Sequence, residues 1–497
     1  MKNRHLLGFD NPRKALLTTI KEAVDNSLDA CEELRVAPEL KIKITKTSET
    51  EDRYKIVIED NGPGIVKEQI PNIFGKLLYG SKFHSMKCTR GQQGIGISAA
   101  AMYGQLTTGK PINIISKTGP KRNANFYSLQ INTKTNEPEI MQEEVVDWEE
   151  KQHGTKISIE MEAIYQKGMR SVDEYLEYTA IANPHATIIY QAPGEEPKTF
   201  ERATKELPVE PKEIKPHPYG IELGMLIKML KETKSLTLQS FLTSEFSSVS
   251  PKVAKEICEK SKLYEKARPS RIARQEADNL FKIIKNVKIR APPTNCLVPI
   301  GEESMKKGLQ KEIDAEFYVA SSRPPSVYRG NPFKIEIGIA YGGNIPVEGT
   351  AKLIRFANRV PLQYQQGACA ITKSVMQTSW RGYGLSQSKG SLPQGPLVII
   401  IHIASVWVPF TSESKEAIAH YPEIIKELKL ALQEAGRKLG GYIRKRKASE
   451  YESKKRSYIE KYIPHIGAAL KEILNLKDNQ EININEKLKE ILERSRK

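Results

Sequence analysis

Residues 80–100, GSKFHSMKCTRGQQGIGISAA, place glycines at 91, 94 and 96 ahead of an alanine-rich run that reads as a helix. Glycine lets a backbone approach a ligand closely, and the free N–H groups at a helix N-terminus attract anions, so this segment suits a phosphate. Two simpler phosphate motifs fail. GQLTTGKP, residues 104–111, has the outline of a P-loop, but Pro111 stands where a Mg²⁺-binding hydroxyl belongs and offers neither hydroxyl nor N–H. GIGISA, from Gly94, fits the dinucleotide pattern GxGxxA, yet the polar TRGQQ precedes it where a strand is required.

A second candidate lies in KEAVDNSLDACEELR, residues 21–35. Glu22, Asn26 and Asp29 are spaced by four and three residues, so on a helix all three project from one face. Leu16, Ile20, Val24, Ser27, Cys31 and Leu34 fall on the opposite side, Asn11 can cap the helix and Pro12 can open it. Alone, such a line is the wet face of an amphipathic helix. Two more segments give it company. DNGPGI, residues 60–65, is a sharp turn at a strand end, and in HGTKISI Gly154-Thr155 enters another strand. Each of the four is weak alone; together, in this order and at these separations, they are specific.

The elements that must position these residues are partly legible. LKIKITK from Leu40 and YKIVIED from Tyr54 alternate with period two and read as antiparallel neighbours. INIISK from Ile112, NFYSLQIN from Asn125, TKISIEM from Thr155 and ATIIYQ from Ala186 read as further strands, only partly separated by helices, which predicts an α+β layered sandwich. A proline-rich charged joint, residues 194–220, precedes helices near 221–231 and 236–246, one opened by Ser250-Pro251, and another after Ser270. A second α/β region starts near Leu297, with strands at 334–341 and 353–358. From Pro422 to about Tyr462 the pattern is helical and basic, interrupted by Gly436, Gly440 and Gly441, and a polar joint with one short charged helix follows from Asp478.

The 497 residues exceed one hydrophobic core, so roughly two to four domains are expected. With 39% hydrophobic and 28% charged residues the composition is that of a water-soluble globular protein, and the net charge of +17 suits a polyanionic partner, most often nucleic acid. The five cysteines form no CxxC pair, which argues against structural zinc and fits a reducing cytosol. The polar N-terminus MKNRHLLGFDNPRK is not a signal peptide, and the most apolar run, LVIIIHIASVWVPF at 397–410, is too short to span a bilayer as a helix and reads as a buried strand. A cytoplasmic, nucleoid-associated protein with no membrane partner is expected.

The four segments resemble the ATP-binding (GHKL, Bergerat-type) fold shared by type II DNA topoisomerases, MutL, ninety-kilodalton heat-shock chaperones and sensor histidine kinases. EFSSVS at Glu245, the helical insertion, RFANRVPLQY at Arg355 and TSESKEAI at Thr411 are similar to the B-subunit family of topoisomerase VI. That resemblance implies an ATP-binding domain at 1–218, a helix-two-turns-helix domain at 219–296, a transducer domain with a long helix at 297–464, and a partner-docking tail at 465–497. It implies Glu22 as the general base that activates the attacking water, Asn26 as the Mg²⁺ ligand and Asp60 as acceptor of the adenine amino group. Gly62 and Gly64 would let the turn approach the base, and Thr155 would support the adenine pocket. Ser81 and Lys82, with Gly91, Gln92, Gln93, Gly94, Ile95, Gly96, Ile97 and Ser98, would form the phosphate lid. Lys415 would reach from the second domain to the γ-phosphate. Asp29 has no such role; it either positions Glu22 or faces solvent, and solvent is the expectation.

ATP and Mg²⁺ are thus the implied cofactors. The implied partners are double-stranded DNA, a second copy of the chain brought together by ATP, and an A subunit that cuts DNA, in an A₂B₂ assembly. Arg444, Lys445, Arg446 and Lys447 suit contact with DNA or form only a solvated helix face, and Ile466, Ala469, Leu470, Ile473 and Leu474 would dock the A subunit. An ATP-gated DNA clamp without strand cleavage, as in mismatch repair, and a chaperone on the same fold are the alternatives.

Overall fold

In the computed structural model, which describes residues 8–80, 86–91, 94–412, 414–475 and 477–494, the Asn11 side chain accepts from the Lys14 N–H at 2.8 Å and Pro12 opens helix α1 (Pro12–Glu33). Its apolar side shares a core with a mostly antiparallel sheet. The sheet comprises β1 (Glu39–Lys46), β2 (Arg53–Glu59), β3 (Ile112–Lys117), β4 (Ala124–Asn132), β5 (Glu137–Val146), β6 (Gly154–Glu162), β7 (Thr187–Gln191) and β8 (Lys198–Phe200), in the order β5-β4-β3-β6-β2-β1-β7-β8. The buried residues of β1 and β2 alternate as their period-two pattern predicts, and the two strands pair antiparallel. The sequence pattern does not predict β5. It is the sheet's edge and is exposed at almost every position, so EPEIMQEEVV carries no buried-face alternation. Helices α2 (Ile70–Gly75), α3 (Gly96–Thr108) and α4 (Val172–Ala182) join α1 in the same core, giving the expected layered sandwich.

Four helices follow: α5 (Leu223–Glu232), α6 (Leu238–Glu245), α7 (Pro251–Ser261) and α8 (Arg274–Asn286). They build a core of their own around Leu226, Phe241, Leu242, Ile257, Leu280 and Ile284. Ser250 caps α7 by accepting from Val253 N–H at 3.3 Å, as its place before Pro251 predicts.

The second sheet has the path β10-β11-β14-β12-β13, with β9 on the free side of β11. Its elements are α9 (Glu302–Glu312), β9 (Phe317–Ser322), β10 (Ser326–Tyr328), β11 (Asn331–Tyr341), β12 (Lys352–Ala357), β13 (Val360–Pro361), α10 (Ala370–Gln377) and β14 (Leu397–Ser405). β14 is buried at every position between parallel β12 and antiparallel β11, which is why its sequence is an unbroken apolar run.

Helices α11 (Pro422–Leu474) and α12 (Asp478–Arg494) end the described chain. The contacts divide the described residues into two compact units, one running to Thr378 and including Ser388–Ala435, the other holding Ser379–Gln387 and the residues from Gly436 on. Within the second unit the glycines do not interrupt α11. A Cβ at Gly436 would lie 2.3 Å from the Tyr383 ring and one at Gly440 would lie 3.2 Å from Tyr383 Cα, so these glycines admit a neighbour rather than break the helix. Among the described residues no helix is long and apolar enough to cross a membrane.

Candidate functional site

Sheet register builds the floor of the site. β2 pairs with β6, so Asp60, just past the end of β2, falls beside Thr155 at the start of β6. The Asp60 carboxylate accepts from Gly62 N–H at 2.9 Å, Thr155 N–H at 3.0 Å and Ser27 O–H at 2.7 Å. Burial pushes its pKa above the ordinary carboxylate value against those three donors. What the site offers here is a fixed, buried acceptor. Gly64 has φ +69°, and a Cβ there would fall 2.1 Å from the Lys117 carbonyl oxygen, so only glycine lets the turn seat against the end of β3. Gly62 contributes its N–H and has no left-handed φ. Ser27, grouped with the apolar side of α1 in the sequence, is buried and serves Asp60 instead.

The glycine segment faces α1. A Cβ at Gly96 would lie 1.8 Å from Glu22 Oε2, and one at Gly91 would lie 3.3 Å from Asn26 Oδ1. The Glu22 carboxylate therefore sits against the first turn of α3, and Asn26, exposed, lies opposite the start of the loop. Among the described residues no side chain caps α3, so its first N–H groups suit an anion. Gly91, Gly94, Ile95, Gly96 and Ile97 line the cavity. Ser98 is buried and its hydroxyl donates to the Ile95 carbonyl at 3.0 Å. Ser81, Lys82, Gln92 and Gln93 lie outside the described residues.

Asp29 corrects the solvent expectation. It is buried and accepts from Arg90 Nη1 at 2.8 Å and from Gly91 N–H at 3.4 Å. Glu32, one turn further on, takes the same guanidinium at 2.6 and 3.0 Å and is met by His185 Nε2 at 2.7 Å. Burial alone would raise the Glu32 pKa, but Arg90 and His185 bring it well below the ordinary value. The third member of the polar line thus grips the chain where the glycine loop begins. No residue-type pattern near Asp29 announced this; the one available signal was an arginine directly before Gly91.

Lys415 arrives from beyond β14 and lines the same cavity as Glu22, Asn26, Asp60 and Thr155. The cavity measures about 880 Å³, within the range of small-molecule sites. It combines a buried acceptor, a carboxylate, a helix N-terminus and a lysine in one cavity. That pairing suits a ligand with an amino-bearing ring and an anionic tail.

Asp25, on the flank of α1, accepts from Tyr175 O–H at 3.1 Å, and burial pushes its carboxyl up to about 7. A folded-state pKa raised above the unfolded value near 4 favours folding in the neutral form. The contribution is therefore complete below about pH 4 and is lost as pH rises through about 7. Asp25→Asn keeps the acceptor and removes the titration, so its thermal midpoint should exceed that of the parent at pH 8, and the difference should shrink as pH falls towards 4. Equal pH dependence in the two proteins would show that Asp25 does not titrate in this window.

Residues 15–155 match the family model described as "Histidine kinase-, DNA gyrase B-, and HSP90-like ATPase", and residues 292–455 match "Topoisomerase VI B subunit, transducer". The chain is similar to the B subunit of type 2 DNA topoisomerase 6 from Methanococcoides burtonii, 50% identical over 483 residues that cover 97% of this chain and 77% of the relative. It is likewise similar to the corresponding protein of Archaeoglobus fulgidus, 48% identical over 474 residues covering 95% and 78%.

Proposed function

The chain belongs to the family of topoisomerase VI B subunits, the ATP-dependent part of a type II DNA topoisomerase, and from that premise we propose how its cavity works. ATP lies with its adenine amino group donating to Asp60 and its phosphates against the α3 N-terminus and the loop from Gly91 to Ile97, with Thr155 beside the base. Ser81, Lys82, Gln92, Gln93 and Ser98 complete the lid. Asn26, an exposed oxygen donor facing Gly91, fits a Mg²⁺ ion, which takes few protein oxygens and otherwise uses water and phosphate. The ion supplies charge neutralisation on the phosphates. Glu22 takes the proton of the attacking water. Lys415 brings a point charge from the second sheet's side to the terminal phosphate and so links nucleotide state to the arrangement of the two sheets. The observation that carries this reading is the convergence of Glu22, Asn26, Asp60 and Lys415 on one cavity.

In this reading two copies close on ATP around a duplex, and the A subunit, in an A₂B₂ assembly, cuts the second duplex. The exposed Arg444, Lys445 and Lys447, with Arg446, suit DNA held between the copies, and the exposed Ile466, Ile473 and Leu474 suit the A subunit. Neither the clamp without cleavage nor the chaperone draws support from the relatives. Sedimentation velocity of the chain should show dimers with a non-hydrolysable ATP analogue and Mg²⁺ and monomers without. A mass independent of nucleotide would contradict ATP-driven closure.

A further inference from the structure

The loop that carries Lys415 is held at its base. Phe410 and Ile418 form an antiparallel bridge, Thr411 N–H donates to the Ala417 carbonyl at 2.9 Å, and Ala370 N–H ties the Ile418 carbonyl to the start of α10 at 2.9 Å. At its tip Lys415 has φ +53°. A non-glycine residue keeps that backbone only where its surroundings hold it there. Lys415 N–H donates to Ser412 at 3.1 Å, which closes a turn but attaches the tip to nothing outside the loop. The outside attachment comes from the next residue. Glu416 is buried, its side chain 8% exposed, and its carboxylate stands 2.6 Å from Lys14 Nζ, itself 14% exposed. Lys14 also reaches Asp10 at 3.2 Å and lies 5.2 Å over the Tyr364 ring. Burial opposes the Lys14 charge, but Glu416 and Asp10 outweigh it and raise the pKa.

Lys14 stands in the first turn of α1, the helix that bears Glu22 and Asn26. One ion pair therefore joins the tip of the loop to the helix that carries the rest of the polar cluster. We propose that Lys14 and Glu416 are positioning residues whose ion pair seats the loop and sets where Lys415 stands relative to Glu22. The proposal rests on the assignment of Lys415 to the terminal phosphate and adds a determinant to it. A fully exposed pair of this kind would contribute little, but here Glu416 is buried, Lys14 is partly buried and the contact is short, so the loop's place depends on them.

The test is a charge-swap cycle in the full chain, with steady-state ATP hydrolysis and hydrogen exchange of the amides of residues 414–419 as readouts. Lys14→Glu and Glu416→Lys should each lower kcat about tenfold or more, since a misplacement near 1 Å costs that much, with KM little changed. Exchange in the loop should rise in both. The double variant Lys14→Glu with Glu416→Lys should recover most of kcat and of the protection. Glu416→Gln, milder in packing, should show the same direction if a single reversal fails to fold. Parent-like exchange and kcat in the single variants would overturn the proposal, and so would a swap that restores neither. A rise in KM that the swap leaves in place would mean that Lys14 touches the nucleotide itself. That outcome also overturns it. Lys415→Ala separates the two layers. If its kcat equals the parent's, the assignment of Lys415 fails, while the exchange data still decide whether the pair seats the loop.

Discussion

Glu22→Gln should lower ATP hydrolysis by about 10²–10⁴-fold, the range typical of the general base that Glu22 is proposed to be. The amide keeps the shape of the carboxylate beside Gly96, where a Cβ would lie only 1.8 Å from Glu22 Oε2, so the first turn of α3 need not move. The amide cannot take a proton from water. Asn26, Asp60 and Lys415 are untouched, so nucleotide binding persists. In the proposed function, closure requires the terminal phosphate to meet the lid and Lys415, and release requires hydrolysis. The variant should therefore form dimers with ordinary ATP and stay closed. Steady-state hydrolysis beside sedimentation velocity checks both halves. Parent-rate hydrolysis would make Glu22 part of a wet helix face and nothing more.

Arg90→Met should cost about 3–5 kcal/mol locally, as expected when one partner of a buried ion pair is removed. Asp29 and Glu32 both depend on this guanidinium, at 2.8 and 2.6 Å, and Arg90 also donates to Asn183 at 2.6 Å. The substitution fills similar volume, so the loss reflects charge rather than a cavity. Hydrogen-exchange protection of the α1 amides around Asp29 should fall by about two orders of magnitude or more, since each factor of ten corresponds to about 1.4 kcal/mol. Because Asp29 also accepts from Gly91 N–H, ATP affinity should weaken in step. Unchanged protection would mean that the network merely fills space.

Periodicity made α1, β1 and β2 legible, because each presents a buried face, and an unbroken apolar run did the same for β14, which is buried on both faces. The same physics hid β5, an edge strand with no buried face to record in its sequence. Gly436 and Gly440 of α11 read as breaks because their partner, Tyr383, lies some fifty residues away in sequence. In the site, Asp60, Gly64 and the glycines around Gly96 could be picked out because turns and close approaches demand particular residue types. The contacts of Asp29, Ser27 and the Lys14–Glu416 pair could not. Their partners lie far off in sequence, and a polar residue on a helix looks the same whether solvent or a buried guanidinium meets it. Helical wheel position separates faces, not what covers them.

The most direct measurement is a crystal structure of the chain with a non-hydrolysable ATP analogue and Mg²⁺. The account predicts the adenine amino group within hydrogen-bond distance of the Asp60 carboxylate, the metal on Asn26 Oδ1, and the terminal phosphate between Glu22 and Lys415 Nζ. A nucleotide bound outside this cavity would contradict it, and so would one whose phosphates point away from the N-terminus of α3.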